Sequence, residues 1–230
     1  RMQVKLRDDA TSHGRLAGML MTMGELEEAK ELFQAALDRD PLNLGIYLQL
    51  SVLERATGNM EAAIAYAEQY EAAKPEDIEA HIVLGDYLRE NGDLDAAEEY
   101  YLQASLLENQ PVQPLMRLAE LAARKGDERE ARSLLEQAEE MAQTPLDKGL
   151  VRQAASFLET RLGRLRAAIE QLYRQEEYLS QAVSPFQVAV ATYAPMVDVY
   201  VHLGEVENAE AVLAKAQEIV QPPLDKFLAF

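Results

Sequence analysis

Gly24, Gly58, Gly92 and Gly126 stand 34 residues apart, and alanine follows each by five residues, at Ala29, Ala63, Ala97 and Ala131. Two further glycines, Gly163 and Gly204, keep their alanines at Ala168 and Ala209, with the spacing stretched to 37 and 41 residues. Leu16, Leu50, Leu84 and Leu118 hold one register ahead of the first four glycines. A fixed period of this length means one supersecondary unit used over and over, so the fold follows from what that unit is.

Residues 78–111 show the unit most plainly. Ile82, Leu84 and Leu88, then Leu94, Ala97, Tyr101 and Ala104, recur at three- and four-residue steps, which is the period of an amphipathic helix. Asn91-Gly92-Asp93 interrupts them. Glycine permits the left-handed backbone that ends one helix, and Asp93 is placed to cap the next, as Asn59 and Asp127 are in their repeats. The recurrent alanines mark points where two helix backbones approach closely, since a larger side chain would overpack the contact. Pro41 and Pro75 stand where helices must stop. No strand pattern of comparable length occurs, so an all-α fold is expected.

These residues resemble the tetratricopeptide repeat family. The third unit matches its pattern through Leu84, Gly85, Leu88, Gly92, Ala97, Tyr101 and Ala104, and the first through Leu16, Ala17, Leu20, Gly24, Ala29, Phe33, Ala36 and Pro41. The aromatic near each repeat start is replaced by His13, His81, Leu115 or Arg152, while Tyr47 and Tyr193 keep it. The resemblance implies a right-handed α-solenoid, or superhelix, of about six helix-turn-helix repeats over residues 10–223. Residues 1–9 form a lead-in, 10–145 hold four regular repeats, 146–221 hold two irregular ones, and 222–230 begin a capping or further helix. Phe227, Leu228 and Phe230 are expected to fold back or to lie under a neighbour. Thr144-Pro145 and Ser184-Pro185 each read as a cap followed by proline at the first helical position. The helix begun at Pro185 should kink at Pro195.

The same resemblance implies a concave groove lined by the first helix of each pair. With repeats counted from residues 10, 44, 78, 112, 149 and 190, its groove positions hold Arg15, Arg55, Arg89, Arg117, Arg124 and Arg161, together with Gln49 and the carboxylates Glu79, Asp86, Glu90, Glu120 and Asp198. The candidate partner-binding residues are therefore Arg15, Gln49, Arg55, Asp86, Arg89, Arg117, Glu120, Arg124 and Arg161, with Arg55, Arg89, Arg117 and Arg124 as polar anchors. Two readings stand side by side: forked donors for the carboxylates or carbonyls of a bound segment, or helix-surface arginines paired with nearby glutamates and aspartates. The lysine- and asparagine-rich carboxylate clamp of the chaperone-binding subset is not implied, because Gly14, Gly18, Gln49, Glu79 and Val83 occupy its places.

Composition narrows the function classes. Across 230 residues, 22 Lys+Arg face 40 Asp+Glu, a formal net charge of -18. That argues against a surface built to grip nucleic acid or anionic lipid. There is no cysteine, so disulfides, thiolate chemistry and zinc–cysteine sites are excluded. The three histidines, His13, His81 and His202, lie in different repeats, and no phosphate-binding glycine loop or nucleophile elbow occurs. Residues 178–197 carry no charge but include two prolines and several polar side chains, which makes a poor bilayer span. This window is either a buried junction or a docking patch through which the chain self-associates. No signal peptide is read, and a start without methionine at position 1 suggests a processed or excerpted chain. A soluble, cytoplasmic protein is the plain expectation, although the sequence does not determine the compartment. The expected function is a non-enzymatic, cofactor-free scaffold or adaptor that holds a protein or peptide, without nucleic acid or membrane insertion. The alternative is the regulatory or substrate-recruiting region of a larger enzyme or signalling protein.

Overall fold

The computed structural model describes residues 9–107 and 112–220 and divides the chain into two compact units, Arg1–Leu107 and Glu108–Phe230. All described elements are helical, and no strand occurs among the described residues. The first unit consists of three antiparallel hairpins: α1 (Ala10–Met23) with α2 (Leu26–Arg39), α3 (Leu44–Ala56) with α4 (Met60–Ala73), and α5 (Ile78–Asn91) with α6 (Leu94–Leu107). The second has α7 (Val112–Lys125) with α8 (Glu128–Met141) and α9 (Pro145–Arg161) with α10 (Leu165–Leu179). Its last hairpin joins α11 (Pro185–Val188), a π-helical turn (Ala189–Tyr193) and α12 (Ala194–Leu203) to α13 (Val206–Val220). Within each unit a hairpin packs on its sequence neighbour. The lead-in up to residue 8 and the terminal segment 222–230, with Phe227, Leu228 and Phe230, lie outside the described residues.

The hairpin turns follow the expected chemistry. At Gly92 the backbone enters the left-handed region at φ 92°, and Asp93 N–H closes the α5 end on Leu88 O at 2.9 Å. Asp93 Oδ1 then accepts from Ala96 N–H at 3.2 Å and caps α6. The five alanines Ala29, Ala63, Ala97, Ala131 and Ala168 are fully buried where paired helices meet. Gly85 has the same role from the other helix. A methyl group there would lie 2.4 Å from the Tyr101 ring, and that buried ring cannot give way.

Neighbouring hairpins meet at a second recurrent place. The sixth residue after a repeat's glycine faces the eleventh residue of the next repeat. Between the first two hairpins these are Lys30 and Glu54, with Nζ 2.6 Å from a carboxylate that is only 2% exposed. Asn59 Nδ2 donates to the other oxygen at 3.1 Å. Bonding to Glu54 holds the Lys30 ammonium above its usual pKa. Between the second and third hairpins the same places hold Ile64 and Leu88, and Ile64 packs on the Leu84–Tyr87 core. In the second unit they hold Arg132 with Glu159 at 2.9 Å, then Ile169 with Tyr200 in one apolar cluster. Each interface is thus matched, ionic with ionic or apolar with apolar.

The stretched repeats accommodate their extra residues differently. α9 starts at Pro145, four residues before the counted repeat start, on a capping box. Thr144 Oγ1 accepts from Asp147 N–H at 3.1 Å, and Asp147 Oδ2 accepts from Thr144 N–H at 3.2 Å. Ser184 and Gln187 repeat that box at α11. The distance from cap to glycine is one residue longer here than in the preceding repeat, and the π-helical turn absorbs it. Just ahead of Pro195, where the sequence predicts a kink, a π turn runs directly into α12. Proline supplies no N–H to the carbonyl four residues back. That carbonyl, Ala191 O, accepts from the fully buried Gln175 Nε2 at 3.4 Å.

Replacing Lys30 with Ile should leave the Glu54 carboxylate buried without its cation. The expected loss is roughly 1–3 kcal/mol, less than for a wholly buried pair because Lys30 reaches solvent. Adding Glu54→Leu should recover most of that loss, since Ile64 and Leu88 fill the same places naturally. Urea denaturation of the single and double variants measures both effects, and additive losses would disprove the matching.

Candidate functional site

The arginines at the counted positions of the first helices have different partners. In the first unit Arg15 and Gln49 are exposed, and Arg15 makes no ion pair among the described residues. Arg55, on α3, reaches Glu90 on α5 at 3.1 Å, with its guanidinium 5.7 Å from the Tyr87 ring centre. Arg89 is turned inward. Its Nε donates to the Tyr101 hydroxyl at 3.3 Å, and its Nη2 stands 3.4 Å from Asp86. That hydroxyl in turn donates to Asp86 Oδ1 at 2.7 Å. Asp86, Arg89 and Tyr101 therefore lock α5 to α6, and Arg89 keeps only 14% of its side-chain surface.

In the second unit, α7, α9 and α12 together wall a cavity of about 260 Å³. Glu120 and Arg124 come from α7, Phe157 and Thr160 from α9, and Pro195 and Asp198 from α12. Arg117 lies 3.5 Å from Glu120. Arg124 lays its guanidinium 5.0 Å from the Phe157 ring centre, a cation–π contact that leaves its donor edges open. Arg161 ends α9 beside Thr160, exposed and without an ion pair among the described residues. The cavity thus combines an aromatic floor, a stacked cation and two carboxylates. No cluster of metal-ligating side chains occurs among the described residues. A wider hollow, about 640 Å³, lies at the α4–α5 turn around Lys74–Ile78, but a single loop forms it and no polar groups from other elements converge there.

Selecting charged residues from the sequence passed over Gln153, Phe157, Thr160 and Pro195. All four stand at the same counted groove positions, so extending the count to uncharged residues would have found them. The uncharged window 178–197 is divided between core and surface. Leu179, Val188, Ala189, Thr192, Tyr193 and Met196 are buried, while Phe186 and Val190 are more than half exposed.

Tyrosine hydroxyls recur as interior donors to carboxylates. Tyr70 donates a hydrogen bond to Asp77, Tyr101 to Asp86 and Tyr193 to Glu176, each at 2.7 Å. Burial raises the pKa of all three. Tyr200, buried with its hydroxyl 3.0 Å from that of Tyr173, is pushed up to about 12. A raised folded pKa contributes stability that is complete below the unfolded value of about 10 and drains away as pH rises through the folded one. The urea midpoint should therefore fall steadily above about pH 10, and tyrosinate absorbance of the folded chain should lag that of the urea-unfolded chain. Coincident titration curves would contradict this.

Comparison with known proteins places these features. Family models described as tetratricopeptide repeat match residues 20–87 and 78–111. The mouse DnaJ homolog subfamily C member 3 is 30% identical over 120 residues, covering 52% of this chain and 23% of that protein. The chain thus spans about a quarter of the length of the curated relative it matches. Among solved structures, the APC/C hetero-tetramer Cut9–Hcn1 aligns over 95% of this chain and 41% of its own, with TM-score 0.65 and 16% identity. PilW, a type IV pilus biogenesis factor, aligns over 96% and 98% with TM-score 0.63 and 17% identity. A thermophilic tetratricopeptide repeat protein of Thermus thermophilus aligns over 80% and 97% with TM-score 0.60 and 21% identity.

Proposed function

We propose that this member of the tetratricopeptide repeat family is a scaffold that docks a segment of a partner protein on the first-helix face of its second unit, with Arg124 and Arg161 as the anchoring cations. The observation that carries the reading is the cavity between α7, α9 and α12, where Arg124 is stacked on Phe157 with donor edges open. A carboxylate on the bound segment matches those edges, because guanidinium N–H groups pair with carboxylate oxygens in a planar fork. Arg55, Arg89 and Arg117 already carry intramolecular pairs. They shape the face and hold it rigid. Glu120 and Asp198 supply acceptors for backbone N–H groups or a basic side chain of the same segment.

A second reading makes this chain the recruiting or regulatory part of a larger protein, with any catalytic domain elsewhere. The mouse relative, of whose length this chain covers 23%, favours it. Intact mass and reading frame of the native product separate the two readings.

The docking reading is tested by affinity capture from cell extract. The Arg124→Ala, Arg161→Ala double variant should lose at least about tenfold of the captured partner, as expected when charge-assisted contacts are removed from an interface centre. Its helicity should match the parent and its melting temperature should fall only slightly, because neither side chain holds an internal ion pair and only the Arg124–Phe157 contact is lost. Equal capture by both proteins would discard these anchors.

A further inference from the structure

We infer that the cavity between α7, α9 and α12 receives a single tyrosine side chain of the bound segment, and that Ser156 selects it by hydrogen bonding to the phenolic hydroxyl. This rests on the docking reading above and adds the residue that the segment must present, beside an acidic neighbour that meets Arg124.

The argument begins with a hydroxyl that the fold leaves unused. Four other helical hydroxyls return to a carbonyl of the preceding turn: Thr22 to Met19, Ser51 to Leu48, Ser105 to Leu102 and Thr160 to Ser156. Ser156 itself, in the second half of α9, is only 4% exposed and lines the cavity. Its Oγ makes no hydrogen bond among the described residues. Water entering the open cavity can serve it, but a segment that covers the mouth excludes that water. A buried hydroxyl then costs free energy unless the segment supplies a partner.

The cavity is graded from rim to base. Arg124 and Asp198 are exposed, Phe157 and Pro195 are half-buried, and Ser156, Leu172 and Val199 are buried. Its volume of about 260 Å³, at roughly 30 Å³ for each water, leaves room for about eight heavy atoms, the size of a tyrosine side chain. A side chain passing the rim runs between Phe157 and Pro195 and ends against two aliphatic groups and one hydroxyl. An aromatic body with a polar tip matches that order. Phenylalanine would fill the same space but displace water from Ser156 without replacing it, and a site that reads a hydroxyl penalises the analogue lacking one. A lysine would carry its charge to a base where no carboxylate is free to meet it, since Glu120 is paired with Arg117 and Asp198 stands at the rim. Arg124, with its donor edges open, sets the acidic neighbour.

The test selects short random peptides displayed on phage against the full chain and measures the enriched sequences by fluorescence anisotropy. These should carry tyrosine next to aspartate or glutamate. Changing that tyrosine to phenylalanine should weaken binding to the parent chain about tenfold, but binding to the Ser156→Ala variant by less than about twofold. Helicity of Ser156→Ala should match the parent, since alanine favours a helix and the serine side chain holds no bond. The Arg124→Ala, Arg161→Ala variant should weaken the tyrosine and phenylalanine peptides by one common factor and leave their ratio unchanged. Peptides enriched without tyrosine, equal binding of the two forms, or a preference that survives Ser156→Ala overturns the tyrosine pocket. In each of those cases a loss on arginine replacement still supports the docking reading, whereas failure to enrich any peptide overturns both.

Discussion

Close backbone approach between the two helices of each hairpin is the constraint on which everything else rests. It is set by side chains that are nearly absent: Ala29, Ala63, Ala97, Ala131 and Ala168 on the second helices, all without exposed surface, and Gly85 beneath Tyr101. At Gly85 added volume meets the buried Tyr101 ring, and the fully buried alanines have no open surface into which a larger side chain could turn. Once the hairpins are fixed, their outer sides form the next layer of contacts. The units are therefore built from local pairings rather than from a core that distant segments share.

The interior is not uniformly apolar, and several of its polar groups are paired. Tyr70, Tyr101 and Tyr193 bury their rings and donate hydrogen bonds to carboxylates at the core edge. Glu54 and Glu159 enter the hairpin interfaces with lysine or arginine partners. A buried ion pair contributes little net stability but penalises mispairing heavily, because a lone charge cannot remain there. Alternating ionic and apolar interfaces therefore discourage a hairpin from stacking on the wrong neighbour. This is a specificity device added to packing that would otherwise be interchangeable.

The arginines show how one residue type serves two ends. Arg89 ties α5 to α6 through Tyr101 and Asp86, and Arg55 ties α3 to α5 through Glu90. Arg124 instead rests on an aromatic ring and offers its donors outward. What separates them is the group each guanidinium meets. A carboxylate in reach takes the guanidinium, whereas a phenyl ring only positions it. The sixth repeat shows a comparable economy, with Gln175 bonding the carbonyl that Pro195 leaves without a donor.

The sequence by itself determined the hairpin unit, its number, its caps and its close-contact alanines. These depend on backbone conformation and helical period, which neighbouring residues dictate. Gly92 with Asp93 and Thr144 with Asp147 could be read directly for that reason. The family resemblance counted Arg89 and Arg124 alike among the expected groove positions. Only the tertiary structure decided that Arg89 turns in to Tyr101 while Arg124 stacks on Phe157, because those two rings lie on other helices. The π-helical turn before Pro195 was likewise beyond a sequence reading. One surplus residue can be absorbed as a kink, a loop or a widened turn, and the packing of Val188, Ala189 and Tyr193 against α10 and α13 selects the turn.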